Sequence, residues 1–200
     1  LEFLDKRASK KRNIVGQIFD TYWIVEFDKS MYIIDQHAAH EKVLYERFLK
    51  QLEQAETSSQ LISPATVISL SSIEADVVEK YLPNLKKLGF EIEHFGGREY
   101  SISAIPAILP SVNKEIWLKE LISELLEVNS IKNTGSVLEK IASMSCKAAI
   151  KGNQKISLEE AKILIDELLE LENPYNCPHG RPTVIKMTKT EIEKKFKRIV

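Results

Sequence analysis

Three short β-branched and aromatic runs, Ile14 to Phe19, Tyr22 to Phe27 and Met31 to Ile34, follow one another with only two or three residues between them. No helix fits such spacing, because Asp20-Thr21 and Asp28-Lys29-Ser30 are turn-forming segments that interrupt any 3.6-residue period. The segment therefore reads as a strand meander. Its last strand ends at Asp35, after which apolar residues Val43, Leu44, Phe48 and Leu52 recur at helical spacing to about Gln54. A strand-to-helix junction thus falls on residues 35 to 41.

Further along, Thr57 to Ser63 reads as a polar loop closed by Pro64, and Thr66 to Leu70 as a strand. Ile73 to Leu88 reads as a helix stopped by Gly89, Phe90 to Ile105 as a hairpin turning at Gly96-Gly97, and Lys114 to Val128 as a helix. Ser136 to Ile150 is helical in pattern. Ser157 with Glu160, and Thr188 with Glu191, have the spacing of capping boxes that open two last helices, with a loop over Asn173 to Pro182 and a strand over Thr183 to Met187 between them. The expected class is α/β (α+β), with a core split by an insertion.

Of the 200 residues, 44% are apolar and 28% charged, which excludes disorder over most of the length. The net charge of -1 excludes overall electrostatics as a route to nucleic acid or membrane. That charge is unevenly spread: residues 1 to 13 carry +3, residues 14 to 184 carry -8, and residues 185 to 200 carry +4. The basic ends read as a linker end and a solvated helix face, or as local phosphate contacts. No apolar run reaches the roughly 18 residues of a membrane span and the start lacks a signal core, so the chain is expected to be cytoplasmic. Two cysteines, Cys146 and Cys177, are too few for a disulfide framework and are expected as thiols, core residues or ligands.

The junction Asp35-Gln36-His37-Ala38-Ala39-His40-Glu41 sets two acids and two histidines within seven residues. On a helix His37 and Glu41 are about 40° apart, so both side chains reach one cation, and Asp35 at the strand end can turn toward it. Glu46 is rotated about 140° from Glu41 and is expected to pair with a basic group or support the site from outside. In the loop Cys177-Pro178-His179-Gly180-Arg181-Pro182, a thiolate and an imidazole two apart suit zinc but cannot complete a tetrahedral site. Asp35, His37, Glu41 and Cys146 are the available further ligands. The plainer readings are a small buried residue for Cys177, a helix-core position for Cys146, and surface histidines for His94 and His40.

These residues carry a resemblance. Asp35-Gln36-His37-Ala38, two residues, Glu41, four residues, Glu46 resembles the endonuclease motif of the C-terminal domain of the MutL family of DNA mismatch repair proteins. Ser145-Cys146-Lys147, the Cys177 to Pro182 loop and Phe196-Lys197-Arg198 are similar to its companion motifs, in the same order. The resemblance implies a homodimerising, strand-nicking endonuclease domain acting in mismatch repair. It implies a dimerisation and endonuclease subdomain over 14–64 and 146–200, an inserted regulatory subdomain over 65–145, and a basic linker end over 1–13.

It also implies catalytic roles for Asp35, His37 and Glu41, and a metal site of those three with Cys146, Cys177 and His179. The implied cofactors are Zn²⁺ and, for nicking, Mn²⁺ or Mg²⁺; ATP would enter only through an absent N-terminal domain. The implied partners are a second copy, double-stranded DNA held weakly, a mismatch-recognition protein in the full-length context, and a sliding clamp. For the clamp, Gln60, Leu61, Ile62 and Pro64 depart from the family segment, with the glutamine one residue too close to the proline. Rival readings are a non-catalytic dimerisation module with structural zinc and a zinc hydrolase of a small substrate.

Overall fold

The computed structural model describes residues 12–54, 57–109, 114–130, 137–149 and 155–199; the basic stretch 1–11 lies outside the described residues. The element order is β1 (Asn13–Ile18), β2 (Tyr22–Phe27), β3 (Ser30–Asp35), α1 (Gln36–Glu53), β4 (Ser59–Ser69), α2 (Ser72–Lys87), β5 (Glu91–Gly96), β6 (Glu99–Pro106), α3 (Lys114–Ser130), α4 (Val137–Ala149), α5 (Leu158–Glu170), β7 (Val184–Thr188) and α6 (Lys189–Lys195). The fold is mixed α/β, with two antiparallel sheets. The chain divides into two compact units: residues 1–43 with 151–200, and residues 44–150.

In the first unit the sheet order is β1-β2-β3-β7. Phe27 pairs with Ser30 across a two-residue turn whose Asp28 and Lys29 have φ of 42° and 55°, the positive values a primed hairpin turn requires. Period-two alternation then sorts the side chains. Trp23, Val25, Tyr32 and Ile34 point inward, where Ala161, Leu164, Ile165 and Leu168 of α5 and Ala39 and Val43 of α1 complete the core. Helix α5 starts where the sequence spacing places it: Ser157 Oγ accepts from Glu160 N, and the Glu160 carboxylate accepts from Ser157 N. Thr188 and Glu191 cap α6 in the same way.

Among the described residues the other face of that sheet is largely apolar and only partly covered, Ile24 and Met31 lining a groove with Ile192 of α6. Ile24 pairs with Ile33, which pairs with Ile185, and Glu26 pairs with Met31, which pairs with Met187. Ile185 is 54% exposed, while Val15, lifted out by a bulge between Ile14 and Gly16, is also exposed.

The second unit has the sheet order β4-β6-β5. Its core gathers Ile68, Tyr100 and Ile102 from the sheet, Val77, Val78 and Leu85 from α2, Trp117, Leu118 and Leu121 from α3, and Ile141 and Cys146 from α4. Trp117 stacks on Phe90 at 5.6 Å between ring centroids and donates its indole N–H to Ser145 O at 3.3 Å.

One element differs from the expectation. The loop read over Thr57 to Ser63 and the strand read over Thr66 to Leu70 form one long strand, β4. Its register against β6 jumps from Leu61↔Ala104 to Thr66↔Ile102, and Pro64 sits inside that irregularity on an edge strand, where a missing N–H leaves no ladder bond unmade. Proline and serine there mark a bulge rather than a break.

Candidate metal centre

Asp35 is the last residue of β3, and its main-chain N–H donates to Thr183 O at 3.0 Å. Its Oδ1 accepts from Ala38 N at 3.0 Å, so the carboxylate caps the first turn of α1, where free backbone N–H groups need an acceptor. Gln36 follows, 5% exposed, its Oε1 accepting from both Gln17 Nε2 and Trp23 Nε1 at 2.9 Å. Strand end, cap and amide together fix how α1 leaves the sheet, and with it where His37 and Glu41 stand one turn apart.

Glu41 is fully buried. His37 Nε2 lies 3.0 Å from its Oε1, while His179 Nδ1 and Arg181 Nη2 lie 3.5 Å and 2.6 Å from its Oε2. Burial alone would raise the carboxyl pKa, but the contacts with His179, His37 and Arg181 outweigh it and hold the group well below the usual carboxylate range. Glu41 is therefore an anion walled in by cationic or proton-donating side chains.

Two of those side chains come from the loop after α5. Pro178 and His179 occupy the corner of a turn closed by Gly180 N donating to Cys177 O at 2.9 Å, and Cys177 N in turn donates to Arg181 O at 2.9 Å. Gly180 has a φ of +79°, a conformation costly for any side chain with a Cβ. An isolated bridge between Asn176 and Pro182 ties the ends of the loop. The result turns the buried Cys177 thiol and the His179 imidazole toward one point.

Among the described residues, Glu41, Cys177 and His179 each offer one ligand atom, all within 4.8 Å of one another. Carboxylate oxygen, thiolate sulfur and imidazole nitrogen make a donor set suited to zinc. His37 Nδ1 is buried without a hydrogen-bond partner among the described residues, and Glu41 Oε1 has the His37 Nε2 contact at 3.0 Å, an arrangement that leaves donor atoms for a cation. Asp35 and His37 are not in the mutual set; His37 meets it through Glu41, and Asp35 stands at the helix cap. Cys146 is fully buried within the core of the second unit.

Arg181 belongs to the loop motif, yet nothing in its spacing announces a contact with Glu41, 140 positions away. Burial works against the guanidinium charge, but the interactions with Glu41 and Cys177 outweigh it and raise its pKa. Nothing in the residue type of Gln36 announces its two contacts either.

His40 is half-buried, its pKa lowered by burial and by His37 against the opposing pull of Glu160. His94 is exposed and packs edge-on against Tyr100, with Nε2 3.2 Å from Gly97 O. Glu46 is half-buried on the part of α1 that belongs to the second unit. In β4, Gln60 Nε2 donates to Leu109 O at 2.9 Å and Pro106 O at 3.3 Å, Ile62 is buried, and Leu61 is 78% exposed. Lys186, Lys189, Lys194, Lys195, Lys197 and Arg198 are all exposed. Among the described residues no helix is long and apolar enough to cross a membrane.

Comparison with known proteins matches residues 15–156 to the family model described as the MutL C terminal dimerisation domain. A relative from Agathobacter rectalis, named DNA mismatch repair protein MutL, is 52% identical over 99% of this chain and 31% of its own length. Relatives of the same name from Clostridium botulinum and Clostridium beijerinckii are 43% and 38% identical over 93% and 94% of the chain, and 28% of their own length. The chain thus spans less than a third of the curated relatives it matches.

Proposed function

The chain belongs to the MutL C-terminal dimerisation domain family, and from that premise we propose that it is the homodimerising, metal-dependent strand-nicking domain of a DNA mismatch repair protein. The observation that carries the nicking reading is the convergence of buried Glu41 with Cys177 and His179 beside an Asp-capped helix.

Glu41, Cys177 and His179 would hold zinc, and Asp35 with Glu41 would give oxygen ligands to manganese or magnesium. Capping engages Asp35 Oδ1, and a carboxylate has lone pairs on both oxygens, so it retains acceptor capacity for an ion. The chemistry supplied by an ion held there would be polarisation of a phosphoryl oxygen and a lowered pKa for an attacking water.

The protein's own contribution is placement and charge. Glu41 remains ionised far into the acid range because basic side chains surround it, so the negative pole of the site is present at any working pH. His37 orients Glu41 from one turn away on the same helix. The Cys177 to Pro182 loop holds its turn by two main-chain hydrogen bonds, keeping thiol and imidazole in place without help from substrate.

Dimerisation is assigned to the apolar face of the first sheet that carries Ile24, Ile33 and Ile185, because Ile185 is 54% exposed and the other two are only half-buried. DNA contact falls to the exposed basic residues of β7 and α6, since the middle of the chain is acidic and repels phosphate. Weak DNA binding by the domain alone follows. Clamp docking, if it uses β4, rests on Leu61 and Pro64, because the Gln60 amide is taken up by the carbonyls of Pro106 and Leu109. Mismatch recognition belongs to a partner.

Complete burial of Glu41 favours a second reading, in which the cation is only structural and the domain is a dimerisation module. Elemental analysis tests the shared part of both. Purified protein should carry about one zinc per chain, lost in Cys177→Ser and His179→Ala; a zinc content unchanged in both variants would reject the site.

A further inference from the structure

We infer that Arg181 is the protein's own stand-in cation at this site: in the metal-free chain its guanidinium takes the place beside Glu41 and Cys177 that a divalent ion occupies in the loaded one, so binding the ion expels it. The inference rests on the metal-site reading above and adds a competitor to it.

Three observations support it. First, Arg181 Nη2 is 2.6 Å from Glu41 Oε2, the same oxygen that His179 Nδ1 approaches at 3.5 Å, so guanidinium and imidazole converge on the side of the carboxylate where ligand atoms gather. Second, Glu41 has no exposed surface, and a buried carboxylate without a cation is strongly destabilising; some positive group must neutralise it when no metal is present. Third, the Arg181 side chain is 49% exposed, unlike the carboxylate it serves, so it can swing into water at little desolvation penalty.

A permanent support for Glu41 would be expected to be buried with it. The same two partners that hold the guanidinium, Glu41 and Cys177, are also two of the three metal-ligand candidates. A dication bound to them would place like charge directly against the guanidinium, which disfavours holding both at once.

The test titrates zinc alone into the chelator-stripped full chain against a chromophoric chelator, comparing wild type, Arg181→Gln and Arg181→Lys, with a thermal melt of each metal-free sample. Losing a charge-assisted hydrogen bond that only the metal-free state makes should tighten zinc binding by Arg181→Gln on the order of tenfold, with a lower metal-free melting temperature. Arg181→Lys, able to meet Glu41 but not to fork to a second partner, should fall between.

Zinc binding by Arg181→Gln that is equal to or weaker than wild type would overturn the inference while leaving the metal site standing. Failure of wild type to bind zinc would instead overturn the site itself, and this inference with it. Should Arg181→Gln not fold without metal, Arg181→Lys decides by the same criterion.

Discussion

Trp23 Nε1 and Gln17 Nε2 both donate to the single side-chain oxygen of Gln36, each at 2.9 Å, at the first residue of the helix that carries His37 and Glu41. One amide thereby ties two strands of the first sheet to the start of α1. Gln36→Leu keeps the volume and removes the acceptor, leaving the buried indole N–H unpaired. We expect a loss of roughly 1–3 kcal/mol in urea unfolding, the penalty for a buried donor left unsatisfied. Gln36→Glu, which restores an acceptor, should recover part of it.

Glu41 gives a pH dependence with a definite sign. Its pKa is held below the ordinary value of 4.5 in the folded protein, so the unfolded chain takes up the proton first as pH falls. The stability it contributes is fully present above about pH 4.5 and is lost as pH falls toward the lowered folded value. Metal-free wild type should therefore lose stability more steeply below that pH than Glu41→Gln does, as measured by thermal melts between pH 6 and pH 3. Parallel curves would show that Glu41 is not the anion described.

Gly180→Ala tests the loop. No atom crowds the position, so the whole effect comes from a φ of +79° that a Cβ disfavours, about 1–2 kcal/mol. Because that strain acts on the turn carrying Cys177 and His179, zinc affinity should fall together with stability. A change in stability with unchanged zinc affinity would separate the loop from the site.

Ile33 and Ile185 are paired neighbours on the apolar sheet face. Replacing Ile185, already half in water, by Glu should leave the monomer folded while shifting sedimentation equilibrium toward monomer at micromolar concentration. An unchanged dimer would place the interface elsewhere.

How much of this could be read before the structure depends on the range of the interaction. The contact between His37 and Glu41 is legible in the sequence because helical geometry puts residues four apart on one face. That Cys177 and His179 face one point is legible in their spacing, a thiol and an imidazole two apart on either side of Pro178. The β4 strand is not legible as one element because a proline at a bulge looks, in sequence, like one that ends a loop. The role of Arg181 is not legible because its partner is 140 residues away, and an arginine after a glycine carries no signal of a buried carboxylate. Gln60 shows the converse: a residue noted for a partner's surface is held by two carbonyls of its own unit.

The claim of metal-dependent nicking is tested most directly by incubating the protein with supercoiled plasmid and manganese. Wild type should convert the plasmid to the open circular form, weakly and in proportion to protein concentration, whereas Asp35→Asn should be reduced at least a hundredfold, about 2.7 kcal/mol of barrier. Asp35→Asn that nicks as well as wild type, or wild type that leaves the plasmid supercoiled at high concentration, would contradict the account.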